Sequence, residues 1–151
     1  MNWAQWPMPN GPADVSDGAA NPASYTDNGD GTVTDKITGP MWEKGSSGPY
    51  ASWSQAVAHC PTLTLGGHND WRLPTRIELL SLVDYGVGGD LSGPRLLINT
   101  KYFPMTASNL HWTSTPRPGP APTEAFVLDF NAGNAHYQTM TLTSAYAMCV
   151  R

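Results

Sequence analysis

Residues 68–85, HNDWRLPTRIELLSLVDY, constrain the fold of this chain more than any other stretch. Thr75 precedes Glu78 by three positions, the spacing at which a threonine hydroxyl accepts from the glutamate backbone N–H and the glutamate carboxylate bonds back to the threonine N–H. A helix therefore begins at about Arg76. Pro74 keeps Leu73 out of the helical region, so the chain arrives extended and changes direction sharply between Trp71 and the helix. Trp71 and Leu73 are expected to point inward. Ile77, Leu79, Leu80, Leu82 and Val83 form an apolar stripe wider than a surface helix needs, which predicts cover on more than one side. Gly86 is placed to be the left-handed residue past the helix end. Asp70 and Arg72 flank Trp71; a buried ion pair between them, or an arginine bonded to loop carbonyls, is expected, with an anion-binding arginine as the alternative. Asp70, Trp71, Arg72 and Pro74 are thus read as structural residues.

Residues 1–23 are rich in Pro, Ala, Asn and Gly and show no periodicity, so they read as a tail or linker whose large apolar side chains are Trp3, Trp6 and Met8. The domain proper is expected over residues 24–151. Residues 25–44, YTDNGDGTVTDKITGPMWEK, carry Asn28-Gly29 and Asp30-Gly31, turn signals between residues of high strand propensity, and predict a hairpin. The oxygens of Asp27, Asn28, Asp30 and Asp35 also look like the start of a calcium loop. Aligning Asp30-Gly31 with that loop's fifth and sixth positions puts Thr26 at the first and Ile37 at the twelfth, where carboxylates are required. Turn chemistry is the preferred reading, no cofactor is expected, and calcium is the alternative.

Met41 and Trp42 open a buried strand, and residues 45–49, GSSGP, read as a flexible loop. Ser52 caps a second helix with Gln55 as its reciprocal partner; Trp53, Ala56, Val57 and Cys60 share one face, and Pro61 stops it. Leu63 and Leu65 lead to a Gly66-Gly67 turn, and residues 86–105 have no clear period. Residues 111–115 read as a strand and the proline-dense 116–123 as an exposed connection. Phe126, Leu128 and Phe130 alternate as a half-buried strand, residues 131–134 turn, 136–142 return as its partner, and 146–151 form a last strand.

Six tryptophans in 151 residues argue for one packed domain, while fifteen glycines, fourteen prolines and only 13% charged residues argue for short elements and many loops. A net charge of -4 offers no basic face, so nucleic acid is not an expected partner. No apolar run reaches the ~18–20 residues that cross a bilayer, so no membrane span is expected. The opening MNWAQWPMPNGP lacks the basic and apolar regions of a signal peptide. Cys60 and Cys149 have no C-x-x-C spacing, which leaves a disulfide or two buried thiols. His59, His68, His111 and His136 have no ligand-like spacing, and G-x-S-x-G, P-loop and H-E-x-x-H patterns are absent, so an enzyme is not expected.

Taken together, YTDNGDGTVTD, TGPMW, WSQAVAHC, GGHNDWRLPTRIELLSLVD, HWTST, FVLDF and the terminal CVR resemble the family named for the carboxy-terminal domain of the Legionella collagen-like protein, over residues 25–151. The resemblance implies an α+β, C-type-lectin-like fold, loop-rich, with two helices flanking short antiparallel sheets, in bacterial proteins that are secreted or displayed at the cell surface. It implies a long disulfide from the first helix to the last strand, places that Cys60 and Cys149 match. It suggests a trimer, which the residues themselves do not decide. RLPT ahead of a capped helix also looks like the formylglycine-generating enzyme group, yet both cysteines are already taken by the structural positions. The Glu-Pro-Asn, Gln-Pro-Asp and Trp-Asn-Asp signatures of calcium-dependent lectins are missing.

The resulting expectation is a non-enzymatic extracellular recognition or adhesion module that meets a glycan or protein ligand through its loops. The ligand-binding candidates are Trp112, Arg117, Asn131, Asn134, His136 and Tyr137. The alternative is a structural or assembly domain of a larger bacterial envelope protein.

Overall fold

The computed structural model describes residues 9–18, 22–87, 96–105 and 110–151. Its helices are α1 (Pro12–Ser16), α2 (Trp53–His59) and α3 (Arg76–Leu80). Strands β1 (Tyr25–Asp27), β2 (Thr32–Asp35) and β3 (Met41–Glu43) form a three-stranded antiparallel sheet in chain order. Between β1 and β2 the Asp27 carboxylate accepts from the Gly29 N–H and that of Asp30 from the Thr32 N–H. Gly29 and Gly31 there take φ of 76° and 88°, where a side chain would be strained. Strands β4 (Ser47–Tyr50), β5 (Leu110–Pro116), β6 (Glu124–Asp129), β7 (Asn134–Thr139) and β8 (Ala145–Ala147) form a second sheet in the order β4-β8-β5-β6-β7. Its pairs are antiparallel except β5 with β8. The fold is therefore α+β and loop-rich, with few helices and two sheets.

The two helices read from the sequence flank this core. Ser52 Oγ accepts from the Gln55 N–H, but the Gln55 side chain turns to the Ala51 N–H instead of closing on Ser52. On α3 the capping box is complete, Thr75 Oγ1 accepting from Glu78 N and Glu78 Oε2 accepting from Thr75 N. Two apolar clusters lie on either side of the second sheet. Leu79, Leu82, Leu128, Phe130, Val33 and Trp42 belong to one; Ala56, Trp71, Trp112, Ala125, Val127 and Cys149 belong to the other. The Cys60–Cys149 disulfide joins the end of α2 to the segment after β8, across 89 residues of sequence.

Residues 148–151 stitch the two sheets together. Met41 and Arg151 exchange both backbone hydrogen bonds, as do Arg72 and Val150, and the Cys149 carbonyl accepts from the Glu43 N–H. The Glu43 side chain, 9% exposed, closes the seam by accepting from the Cys149 N–H at 3.1 Å and the Ser47 hydroxyl at 2.8 Å. Burial pushes its carboxyl above the usual range.

Several expectations are corrected. The GSSGP stretch is not wholly loop, because β4 begins inside it and pairs with β8. Strand β6 is not half-buried: Ala125, Phe126, Val127 and Leu128 are all buried, since a cluster covers each face. The helix after Thr75 is only five residues long, and so short a helix turns one side to the core and leaves Ile77 51% exposed. Gly86 is not among the left-handed glycines; it lies in a 3-10 turn, held by its N–H on the Asp84 carboxylate. The expected tail is partly structured. Pro12 at the first helical turn presets α1, and the chain folds back so that the Ala23 N–H bonds to the Asn10 carbonyl. Trp3, Trp6 and Met8 lie outside the described residues.

Candidate functional site

The scaffold beneath the site is the stretch that opens α3. Trp71 and Leu73 are 2% and 3% exposed, and Pro74 is buried, as the proline-held extended backbone requires. Arg72 points the other way, its side chain half-exposed. It does not pair with Asp70. Its guanidinium bonds both oxygens of Glu78, at 2.8 and 2.6 Å, because the capping turn brings that carboxylate back beside it. Asp70 is held instead by Arg151, whose Nε lies 2.6 Å from Oδ1, and this bond keeps the Asp70 carboxyl below the usual range. Burial works to raise the Glu78 carboxyl, but the Arg72 guanidinium and the Thr75 N–H outweigh it and hold it low. Trp71 and Pro74 are thus buried, whereas the expected buried Asp70–Arg72 pair is replaced by two ion pairs in which the Asp70 and Arg72 side chains are 59% and 50% exposed.

Above this scaffold four side chains stack in series. Phe126 and Tyr137 are direct cross-strand partners on β6 and β7, and their rings lie 4.1 Å apart between centroids. The Arg76 guanidinium sits 4.4 Å from the Phe126 centroid, and that of Arg117 sits 5.1 Å from the Tyr137 centroid. Each guanidinium meets the negative face of a ring. Helix α3 aims Arg76 there because its N–H is tied to Thr115 Oγ1 on β5 at 3.0 Å. Arg117 starts the β5–β6 connection, its N–H on the Glu124 carbonyl and its side chain on the Glu124 carboxylate, which raises the guanidinium pKa. Phe126 is 7% exposed and forms the base, whereas Tyr137 is 38% exposed and presents the top. No described carboxylate pairs with Arg76. Chemically this is an aromatic surface flanked by two cations, with no nucleophile among its members.

Of the sequence candidates, the structure brings Arg117 and Tyr137 together and separates the rest. Trp112 is not a contact residue. It faces Val127 in the β5–β6 register and is fully buried in the cluster beneath α2, so no ligand reaches it. His136 pairs with Val127 and so lies on the opposite face of β7 from Tyr137. Asn131 and Asn134 are exposed at the far end of the β6–β7 hairpin, where Asp129 Oδ1 accepts from the Asn131 N–H. Arg76, Phe126 and Glu124 complete the group. The alternation of residues 126–130 announces Phe126 as a strand residue, but no local signal connects Arg76 to it across fifty positions of sequence.

The oxygen-rich turn has its carboxylates engaged. Asp27 pairs with Lys44, Asp30 accepts from both the N–H and the hydroxyl of Thr32, and buried Asp35 accepts from Ile37 N, Thr38 N and Thr38 Oγ1. Asn28 reaches the hydroxyls of Thr32 and Thr34. Among the described residues no group of three or more His, Cys, Asp or Glu side chains converges on a point. No described helix is long and apolar enough to cross a membrane.

The family model described as the Lcl C-terminal domain matches residues 31–151, and the chain belongs to that family. No curated protein matches it.

Proposed function

We propose that this member of the Lcl C-terminal domain family is a non-enzymatic recognition module of a larger bacterial surface protein, built on a C-type-lectin-like fold. The observation that carries the reading is Tyr137, 38% exposed, packed against a buried Phe126 and an Arg117 guanidinium, with Arg76 on the Phe126 ring. A ring fixed from below contributes contact area without losing rotamer freedom on binding, and the two guanidiniums give the contact polarity and direction. A glycan or a protein side chain fits such a surface. The long disulfide supports an oxidising, extracellular setting, and loops on a rigid scaffold are the usual place for variable ligand contacts.

The test is an array of glycans and matrix proteins probed with the wild type and with Tyr137→Ala. Any ligand captured by the wild type should be lost or weakened at least about tenfold in the variant, with its melting point nearly unchanged. A ligand bound equally by both proteins moves the site elsewhere. Absence of any ligand favours the structural or assembly role.

A further inference from the structure

The edges of the two sheets are treated differently. Strand β1 has only three residues and its Asp27 is paired with Lys44; β3 is covered by Val150; β4 carries Pro49 and an irregular register. Such devices keep an edge from pairing with another chain. Among the described residues, strand β7, Asn134–Thr139, has none of them. It runs through six consecutive pairs with β6 without a bulge and contains no proline, lysine, arginine or carboxylate.

The register shows which of its backbone groups look outward. The Met140 N–H bonds to the Thr123 carbonyl, so in the same ladder Gln138 and His136 face β6 while Thr139, Tyr137 and Ala135 face away. Glu124 confirms the phase: its carbonyl is taken from the β5 side by the Arg117 N–H, which leaves its partner Thr139 turned outward. Thr139 uses its own carbonyl for the Leu142 N–H, whereas no turn or loop bond between described backbone groups uses Ala135 or Tyr137. The face that an added strand would share with Tyr137 carries Arg76, which no described carboxylate pairs, and Arg117, which shares its charge with Glu124, in a protein whose net charge is -4.

We propose that β7 is a docking edge for an extended acidic peptide segment of a protein partner, which adds to the sheet through the backbone of Ala135 and Tyr137 and turns its carboxylates toward Arg117 and Arg76. This rests on the recognition reading above and narrows it to a strand-forming, acidic protein ligand. Main-chain bonds supply the attachment in this mode, and the guanidiniums select the charge of the guest.

The probe is a synthetic peptide, Thr-Val-Glu-Val-Glu-Val-Thr, and its counterpart with lysine in place of glutamate. Both are titrated into the full chain while backbone amides are followed by NMR and hydrogen exchange. The glutamate peptide should shift and protect the Ala135 and Tyr137 amides, with binding at least about tenfold tighter than the lysine peptide and weakening as salt rises. Ala135→Pro, which removes an outward N–H and no bond to β6, should reduce binding by a similar factor. If that variant does not fold, protection of the two amides in the wild type still decides. Unmoved amides, equal response to both peptides, or peptide-free concentration-dependent protection of the same amides, the mark of a second copy on this edge, would each overturn the proposal. A ligand that needs the Tyr137 ring but leaves these amides unprotected would sink this inference and leave the recognition reading standing.

Discussion

Arg72 grips both oxygens of Glu78 while one of those oxygens also accepts the Thr75 N–H, so a single carboxylate serves a helix cap and an ion pair at once. The capping turn and the extended strand before it are thereby locked to each other at the point where the chain reverses.

Removing the cation tests that lock. Glu78 keeps its cap bonds in Arg72→Ala, and the Arg72 side chain is half-exposed, so screening limits the loss to about 1 kcal/mol. A urea midpoint lowered by about 0.3–1 M is expected. Unchanged stability together with lost ligand binding would reassign Arg72 to the recognition face.

Glu78→Gln reads the same group through pH. The folded protein holds this carboxyl below its ordinary 4.5, so its contribution is present above that pH and is lost as pH falls through the lowered value. The variant lacks the contribution throughout. The stability gap between the two proteins should therefore be largest at neutral pH, about 1–2 kcal/mol, and close in acid. Glu43, whose carboxyl is raised by burial, shifts both proteins alike and cancels in the difference. A gap that is constant with pH would show that charge is irrelevant at this position.

Cys60 and Cys149 close a loop of 89 positions in sequence, for which the chain-entropy model gives about 4.6 kcal/mol. The Cys60→Ala/Cys149→Ala double variant should melt far below the oxidised wild type, and reductant should lower only the wild type. Mass spectrometry that finds two alkylatable thiols in the untreated protein would remove the basis for this expectation.

Asp35 holds three groups of the β2–β3 turn from a fully buried position, so Asp35→Ala should cost about 2 kcal/mol by leaving those donors unpaired. The wild-type melting point should not respond to millimolar calcium or to chelator, because these carboxylates already satisfy backbone donors. A rise of several degrees with calcium would contradict this, since a ligand of the native state must raise apparent stability.

What the sequence made legible was local. The Thr75–Glu78 box, the Asn28 to Gly31 turn and the Ser52 cap each depend on residues a few positions apart, and each formed. Where the partner of a side chain depends on chain crossings, sequence reasoning failed: Asp70 chose Arg151, 81 positions away. Arg72 was missed locally as well, since its partner Glu78 lies only six positions on, brought back beside it by the capping turn. Trp112 looked available because tryptophans favour interfaces, yet alternation along β5 turned it into the core, and alternation cannot be assigned to inside or outside without knowing which faces are covered. The stacked group was half visible: Arg117 and Tyr137 stand out by type, but Arg76 joins them only through the docking of α3 onto β5.

The seam formed by residues 148–151 also sets an order of events. A ribosome releases the chain from its amino-terminal end, and domains commonly begin to fold as they emerge. Here Met41, Glu43 and Arg72 all wait for backbone partners between Cys149 and Arg151. A nascent chain stopped short of that segment holds Trp42 and Trp71 without their final cover and Cys60 without its mate. Closure of the seam and oxidation of the cysteine pair therefore both follow the emergence of residues 148–151, and until then the two sheets lack the strand segment that ties them together.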